Sequence, residues 1–278
     1  MKIAKWHGIG NDYLLVHERD LPAPLTPREV TAICDRHFGI GADGILVLGA
    51  SDVADARMVI HNPDGSQAEM CGNGIRMAAR FLQAEGVVTT SDMSIETAGG
   101  IIRPTVLEDG TVRVDMGKAI VEAVDTIQLD SGQLLRGRPV SMGNPHFVIA
   151  MEPESVDLSV VGRAAENHER FPERANIEFI RMNADDDVTM RVWERGVGET
   201  LACGTGACAV GVSAILDHGA TSPLTVHLRG GDLVIEVDPH DLHVFMIGSA
   251  TPIFSTDIDP ASIEQPAAIA RRHERARA

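Results

Sequence analysis

The chain has 278 residues, 44% of them hydrophobic, and carries a formal net charge of −16, a length that fits one large domain or two of about 140 residues, with two expected here. An acidic chain whose basic residues are scattered repels a phosphate backbone, which excludes nucleic acid as an expected partner. No apolar run approaches the roughly 20 residues of a bilayer span, and Met1 to His7 lacks a secretory core, so a soluble, cytoplasmic protein without membrane contact is expected.

In chain order, Gly10-Asn11 leads into a short strand around Leu14-Leu15-Val16. The capping box Thr26-Pro27-Arg28-Glu29 then opens a helix predicted over 27–37, with Cys34 on its apolar face beside Val30 and Ile33, a core position. Gly39-Ile40-Gly41-Ala42-Asp43-Gly44 fits the Gly-x-Gly-x-x-Gly pattern of dinucleotide sites, but that motif must follow a strand and open a helix. Here it follows a helix and enters the strand at 45–48, so no nicotinamide cofactor is expected. A strand at 58–61 precedes a helix predicted over 71–85, with Ile75, Ala78, Ala79 and Leu82 on one stripe and Gly86 closing it. Strands at 93–97, 101–107 and 112–116 follow, turning at Glu108-Asp109-Gly110.

The same order then recurs with a shift of about 132. Gly143-Asn144 followed by Phe147-Val148-Ile149 answers Gly10-Asn11 and its strand. Met190-Arg191-Val192-Trp193 answers Met58-Val59-Ile60-His61, and each stretch precedes a cysteine at the same distance. Cys203-Gly204-Thr205-Gly206 answers Cys71-Gly72-Asn73-Gly74, and Gly230-Gly231 answers Gly99-Gly100. The second helix, predicted over 203–217 and closed by Gly219, is apolar nearly all round, the pattern of a helix enclosed by sheet. Strands at 224–228, 233–237 and 242–247 complete this half. Strands gathered around one helix, without βαβ alternation, make the expected fold class α+β: two pseudo-symmetric halves, each a mixed, largely antiparallel sheet curled around a central helix. The halves are drawn at 1–117, completed by a returning strand at about 251–257, and 118–250, with a flexible tail over 260–278.

Four cysteines are too few for a disulfide framework in a chain this long. A single Cys opening an apolar helix is more often a small core residue. Cys71 and Cys203 differ in standing at repeat-equivalent positions, each in Cys-Gly-x-Gly at a helix start, so they are expected to approach one cleft from opposite sides. Amides at a helix start bind a carboxylate, and the same partial charge is expected to bring a thiol from about 8.5 into the range of roughly 3.5–7.5. Two helix starts on one carboxylate would stabilise the enolate-like charge left when an α-proton departs, with one sulfur as base and the other as acid. Cys208 has no counterpart and reads as core. His240-x-x-His243 falls on a turn and strand without clustered ligands, so no metal is implied.

At this point the sequence resembles diaminopimelate epimerases over about residues 1–255. The likeness is carried by Gly8-Ile9-Gly10-Asn11-Asp12, Asn62-Pro63-Asp64-Gly65-Ser66, Glu69-Met70-Cys71-Gly72-Asn73-Gly74, Gly143-Asn144-Pro145-His146, Arg174-Ala175-Asn176 and the run from Glu194-Arg195 to Cys203-Gly204-Thr205-Gly206. The resemblance implies interconversion of LL- and meso-2,6-diaminopimelate without a cofactor, in lysine and peptidoglycan precursor synthesis, by a homodimer. It implies Cys71 and Cys203 as proton donor and acceptor, and the amides of Gly72, Asn73, Gly204 and Thr205 on the reacting carboxylate. Asn11, Glu194 and His146 would lie near the reacting amino group, and Asn62, Asn144, Asn176 and Arg195 at the remote end. Each polar residue has a plainer reading too: Asn62 shapes a turn, Asn11 and Asn144 cap strand entries, Arg195 is a solvated charge. Some similar enzymes carry a side-chain amide where Gly44 stands. Competing functions are a proline or hydroxyproline racemase of the same architecture, or a thiol redox protein using Cys71 and Cys203; the remote-end residues discriminate against the first.

Overall fold

The structure, a computed structural model, describes residues 1–259, 262 and 263. The tail expected over 260–278 therefore lies outside the described residues, apart from Ser262 and Ile263, and Ile263 packs against a buried cluster. The chain divides into two compact units, one of residues 1–112 together with the chain from Ala250, the other Arg113–Ser249. That division lies before the boundary drawn at Gly117, which, at φ 76, is inside the strand Val112–Lys118.

In the first unit, strand Lys2–Gly8 pairs antiparallel with Asn11–His17, which runs parallel to Ile45–Gly49. That strand pairs antiparallel with Ala56–His61, which runs parallel to Ile95–Thr97 before the antiparallel Gly100–Ile102. Thr251–Asp257 returns to lie antiparallel on Lys2–Gly8. The run expected at 101–107 is split into Gly100–Ile102 and Pro104–Val106, since Pro104 has no N–H to continue a ladder.

Helix α1 (Pro27–Cys34) carries the expected capping box but stops before 37. Asp35 takes extended backbone angles, and its carboxylate accepts the amides of His37 and Phe38, which turns the chain away. Helix α2 (Gly72–Ala84) packs against Lys2–Gly8, Asn11–His17 and Ile45–Gly49. Asn11–His17 and Ile45–Gly49 are buried on both faces, so they are apolar runs rather than alternations. Leu14, Val16, Ile45 and Val47 meet Val30, Ile33 and Cys34 of α1. Leu15 and Leu46, pointing the other way, are fully buried.

The second unit repeats these steps. Leu134–Ser141 pairs antiparallel with Pro145–Ala150, which runs parallel to Asn176–Ala184. That strand is antiparallel to Asp187–Glu194, which is parallel to Leu224–Leu228, and the antiparallel Gly231–Val237 and His243–Gly248 follow. Helix α3 (Val161–Glu166), which the sequence reading did not anticipate, covers one face with Phe147, Ile149, Ile177 and Phe179 beneath it. Helix α4 (Gly204–His218) packs against the strands of this sheet and is buried from Gly206 to Ala214. A Cβ on Gly211 would come within 2.7 Å of Ile235 Cγ2, so glycine sets how near α4 can lie to Gly231–Val237. Each fully buried Leu, Ile or Phe in these layers contributes about 1.5–3 kcal/mol relative to exposure.

Candidate active site

Cys71 is the N-cap of α2 in extended conformation, and its sulfur accepts the amide of Gly74 at 3.3 Å. Ser, Thr, Asp or Asn would serve capping alone better, so a thiol here calls for another reason. Beneath it, the fully buried Arg76 donates from Nη2 to Asn73 Oδ1 at 2.9 Å. Asn73 Nδ2 donates to Asn11 Oδ1 at 3.1 Å, and Asn11 Nδ2 donates to Asp43 Oδ2 at 2.8 Å. Arg36 joins Asp43 to Asp12, which also receives Lys5. Asn11 and Asn73 are thus held at both ends of their amides, close to the start of α2, with one donor and one acceptor position each still to give.

The Tyr13 hydroxyl hydrogen-bonds to the Cys71 thiol. Its ring also explains Gly44: a Cβ there would stand 2.5 Å from both Tyr13 Cε1 and the His61 carbonyl oxygen. The side-chain amide of some similar enzymes has no room in this chain, because an aromatic ring occupies the place.

Cys203 caps α4 in the same way, its sulfur accepting the Gly206 amide at 3.3 Å. Its surroundings are different. Thr205 Oγ1 lies 3.7 Å from the sulfur and accepts Asn144 Nδ2 at 3.3 Å. Asn144 Oδ1 meets His146 Nε2 at 3.0 Å, and His146 Nδ1 meets Glu178 Oε1 at 2.6 Å. His146 and Glu178 both have fully buried side chains. Thus Asn144, His146, Thr205 and Cys203 are brought together. Glu178 was not singled out in the sequence. Its signal was an acid inside the apolar run Ile177-Glu178-Phe179-Ile180, where the other half has Ile45-Leu46-Val47-Leu48.

Asn176 is buried: Nδ2 donates to the Pro145 carbonyl at 3.1 Å, and Oδ1 accepts the Arg195 amide at 2.9 Å. It therefore fixes the backbone of Arg195, whose exposed guanidinium reaches the Glu173 carbonyl at 3.2 Å. Glu194 accepts the Thr200 hydroxyl. Asn62 donates to Ser66 Oγ at 3.0 Å within its turn. Gly72 is buried, while Gly204 is partly exposed. The first amides of α2 and α4 have no acceptor within the helix ladder, as at any helix start.

The expectation that the helix starts depress both thiols is overturned. Burial pushes Cys71 up, and the Gly74 amide, the Tyr13 hydroxyl and the Arg76 charge only partly offset it. Burial raises Cys203 further, with the Glu194 and Glu178 carboxylates adding to it and the Gly206 amide and Thr205 opposing. A desolvated thiolate costs more than one cap hydrogen bond returns. Cys34, walled in by α1, is pushed up to about 12 by burial, as suits a core residue. His243 pairs with Asp115 at 2.6 Å. A cavity of 440 Å³ beside His17 and Leu82 and one of 130 Å³ beside Arg138 and Ser213 are lined by none of the candidate residues. No helix among the described residues is long and apolar enough to cross a membrane.

Comparison with known proteins places these residues in context. The family model described as diaminopimelate epimerase matches residues 3–122 and 139–253. A diaminopimelate epimerase of Moorella thermoacetica is 43% identical over 276 residues, covering 92% of this chain and 99% of that protein. One from Synechococcus sp. (strain JA-2-3B'a(2-13)) is 45% identical over 272 residues, covering 90% and 95%. Among solved structures, a phenazine biosynthesis protein of the PhzF family from Bacillus anthracis has a TM-score of 0.70 at 18% identity, covering 93% of this chain and 99% of that one. A probable proline racemase from Agrobacterium radiobacter K84 has a TM-score of 0.71 at 15% identity, covering 96% and 95%. At those identities the structural likeness is one of fold.

Proposed function

The chain belongs to the diaminopimelate epimerase family, and from that premise we infer that it interconverts LL- and meso-2,6-diaminopimelate by two-base proton transfer between Cys71 and Cys203. The observation that carries the mechanistic reading is the duplication of the thiol: Cys71 and Cys203 are each an N-cap whose sulfur accepts the amide three residues on. One sulfur, as thiolate, takes the α-proton and becomes a thiol. The other, as thiol, delivers a proton to the opposite face and becomes a thiolate. The centre is inverted, and the two sulfurs have exchanged states. Amides of Gly72, Asn73, Gly204 and Thr205 hold the α-carboxylate, where negative charge grows as the proton leaves. Asn11 and Glu194 bind the reacting amino group, with His146 as a further catalytic contributor. Arg195, its backbone fixed by Asn176, takes the distant carboxylate together with Asn62. No cofactor enters this scheme.

The proline racemase alternative rests on likeness of fold alone, and Arg195 speaks for a substrate with a second amino-acid head. A homodimer in the cytoplasm completes the reading. Supporting association, Ile253 and Phe254 are exposed, at 51% and 43%, on the strand Thr251–Asp257. Sedimentation of a monomer alone would remove that part. The test of function is incubation of the purified protein with LL-diaminopimelate or L-proline in deuterated water, without added pyridoxal phosphate. Meso-diaminopimelate bearing α-deuterium is expected, with proline unchanged; exchange into proline and not into diaminopimelate would sink the assignment.

A further inference from the structure

We propose that Glu178 is the positioning residue of the Cys203 half of the reaction: its carboxylate fixes the His146 ring and, through His146 and Asn144, holds the Thr205 hydroxyl on the sulfur. The proposal rests on the two-thiol reading above and adds to it a residue not in the candidate set.

The frame does not require an acid here. Glu178 lies opposite Val148 in the parallel pair, as Leu46 lies opposite Leu15 in the other unit. A Cβ on Gly74 would touch Leu46 Cδ2 at 3.4 Å and Cys71 Cβ at 3.3 Å. A Cβ on Gly206 would meet Glu178 Oε1 at 2.9 Å and Cys203 Sγ at 3.0 Å. The two side chains therefore fill matching places under matching helix starts, one with leucine and one with a carboxylate. Glu178 Oε2 is buried without a hydrogen-bond partner among the described residues. A buried carboxylate left partly unsatisfied is unfavourable for stability. Its reason must lie in what the other oxygen touches.

That oxygen accepts from His146 Nδ1 at 2.6 Å, which sets the ring plane and turns Nε2, as donor, toward Asn144 Oδ1 at 3.0 Å. Asn144 then donates to Thr205 Oγ1. A hydroxyl oxygen that already accepts from Asn144 is left to direct its own hydrogen at the sulfur 3.7 Å away. A donor aimed at Cys203 favours the thiolate, and it does so in a place where burial and the carboxylates of Glu194 and Glu178 favour the thiol. The line supplies the compensation, and Glu178 anchors its far end.

Glu178→Leu copies the Leu46 arrangement and removes the anchor; Glu178→Gln keeps an acceptor oxygen but not the charge. Steady-state kinetics with diaminopimelate and thermal midpoints are measured for both, alone and combined with Thr205→Val. Expected are a kcat lower by at least about tenfold in Glu178→Leu, a smaller loss in Glu178→Gln, and KM within about twofold of the parent, independent of thermal midpoint. Thr205→Val should cost little more in the Glu178→Leu background than the latter alone, since both break one line. If Glu178→Leu fails to fold, Glu178→Gln carries the test. Parental kcat in either variant, or full additivity with Thr205→Val, overturns the proposal. A parent protein inert toward diaminopimelate would instead overturn the function itself, so the two failures are distinct.

Discussion

Cys71 and Cys203 cap their helices with closely similar backbones, φ −146 and ψ 113 against φ −131 and ψ 105, while the residues around them have diverged. Tyr13, Leu46 and the cationic Arg76 surround the first; His146, Glu178 and Glu194 surround the second. The backbone repeat supplies two equivalent sulfur positions and two helix starts. The side chains beneath make the two thiols unequal, because a cation near one and carboxylates near the other pull their proton affinities apart. A reaction needing one acid and one base is served by that inequality.

The sharpest way to break the comparison is to carry the second arrangement into the first. Leu46→Glu should destabilise the protein by about 3–5 kcal/mol in urea unfolding, since Leu15 and Leu46 lie in an apolar layer and no imidazole waits for the new carboxylate. Parental stability would mean the two places are not equivalent.

A smaller effect is expected from the charge cluster of Lys5, Asp12, Arg36 and Asp43 in the first unit; in the second unit Pro145 stands at the repeat position of Asp12. Burial tends to raise the Asp12 carboxyl, but hydrogen bonds from Arg36 and Lys5 outweigh it and hold the group below 3.8. A lowered carboxyl contributes stability above its unfolded pKa and loses it as pH falls through the folded value. Asp12→Asn should therefore cost about 2 kcal/mol at neutral pH, with the gap to the parent closing in acid. A gap that persists unchanged at low pH would contradict this.

Arg195→Lys should raise KM for diaminopimelate by roughly tenfold with kcat little changed, because an ammonium lacks the planar two-pronged contact. An unaltered KM would detach Arg195 from substrate. The gentlest test compares the thiols directly: pH profiles of alkylation followed peptide by peptide should place the midpoint of Cys71 below that of Cys203. The reverse order would refute the asymmetry of charge.

Much of the fold was legible because it is written twice. The glycines flanking each cysteine, the strands before them and the closing Gly86 and Gly219 recur in register, so both long helices fall within a residue or so of expectation. Helix α3 was missed because its six residues carry too short a pattern, and the break at Pro104 was missed because its neighbours read as one apolar run. Within the site, the thiols stood out through duplication. Glu178 did not, since only pairing with His146 from a neighbouring strand distinguishes it from a misplaced surface acid. The direction of the thiol shifts was misjudged for a related reason: the helix start is visible in sequence, while the burial that outweighs it is a property of the folded layers.

The most direct test of the paired-thiol account follows α-deuterium uptake during LL-to-meso conversion in deuterated water for the parent, Cys71→Ala and Cys203→Ala. The parent should place solvent deuterium in the meso product, and each single variant should yield no net inversion while keeping its fold by circular dichroism. Inversion at the parental rate in either variant would contradict the account.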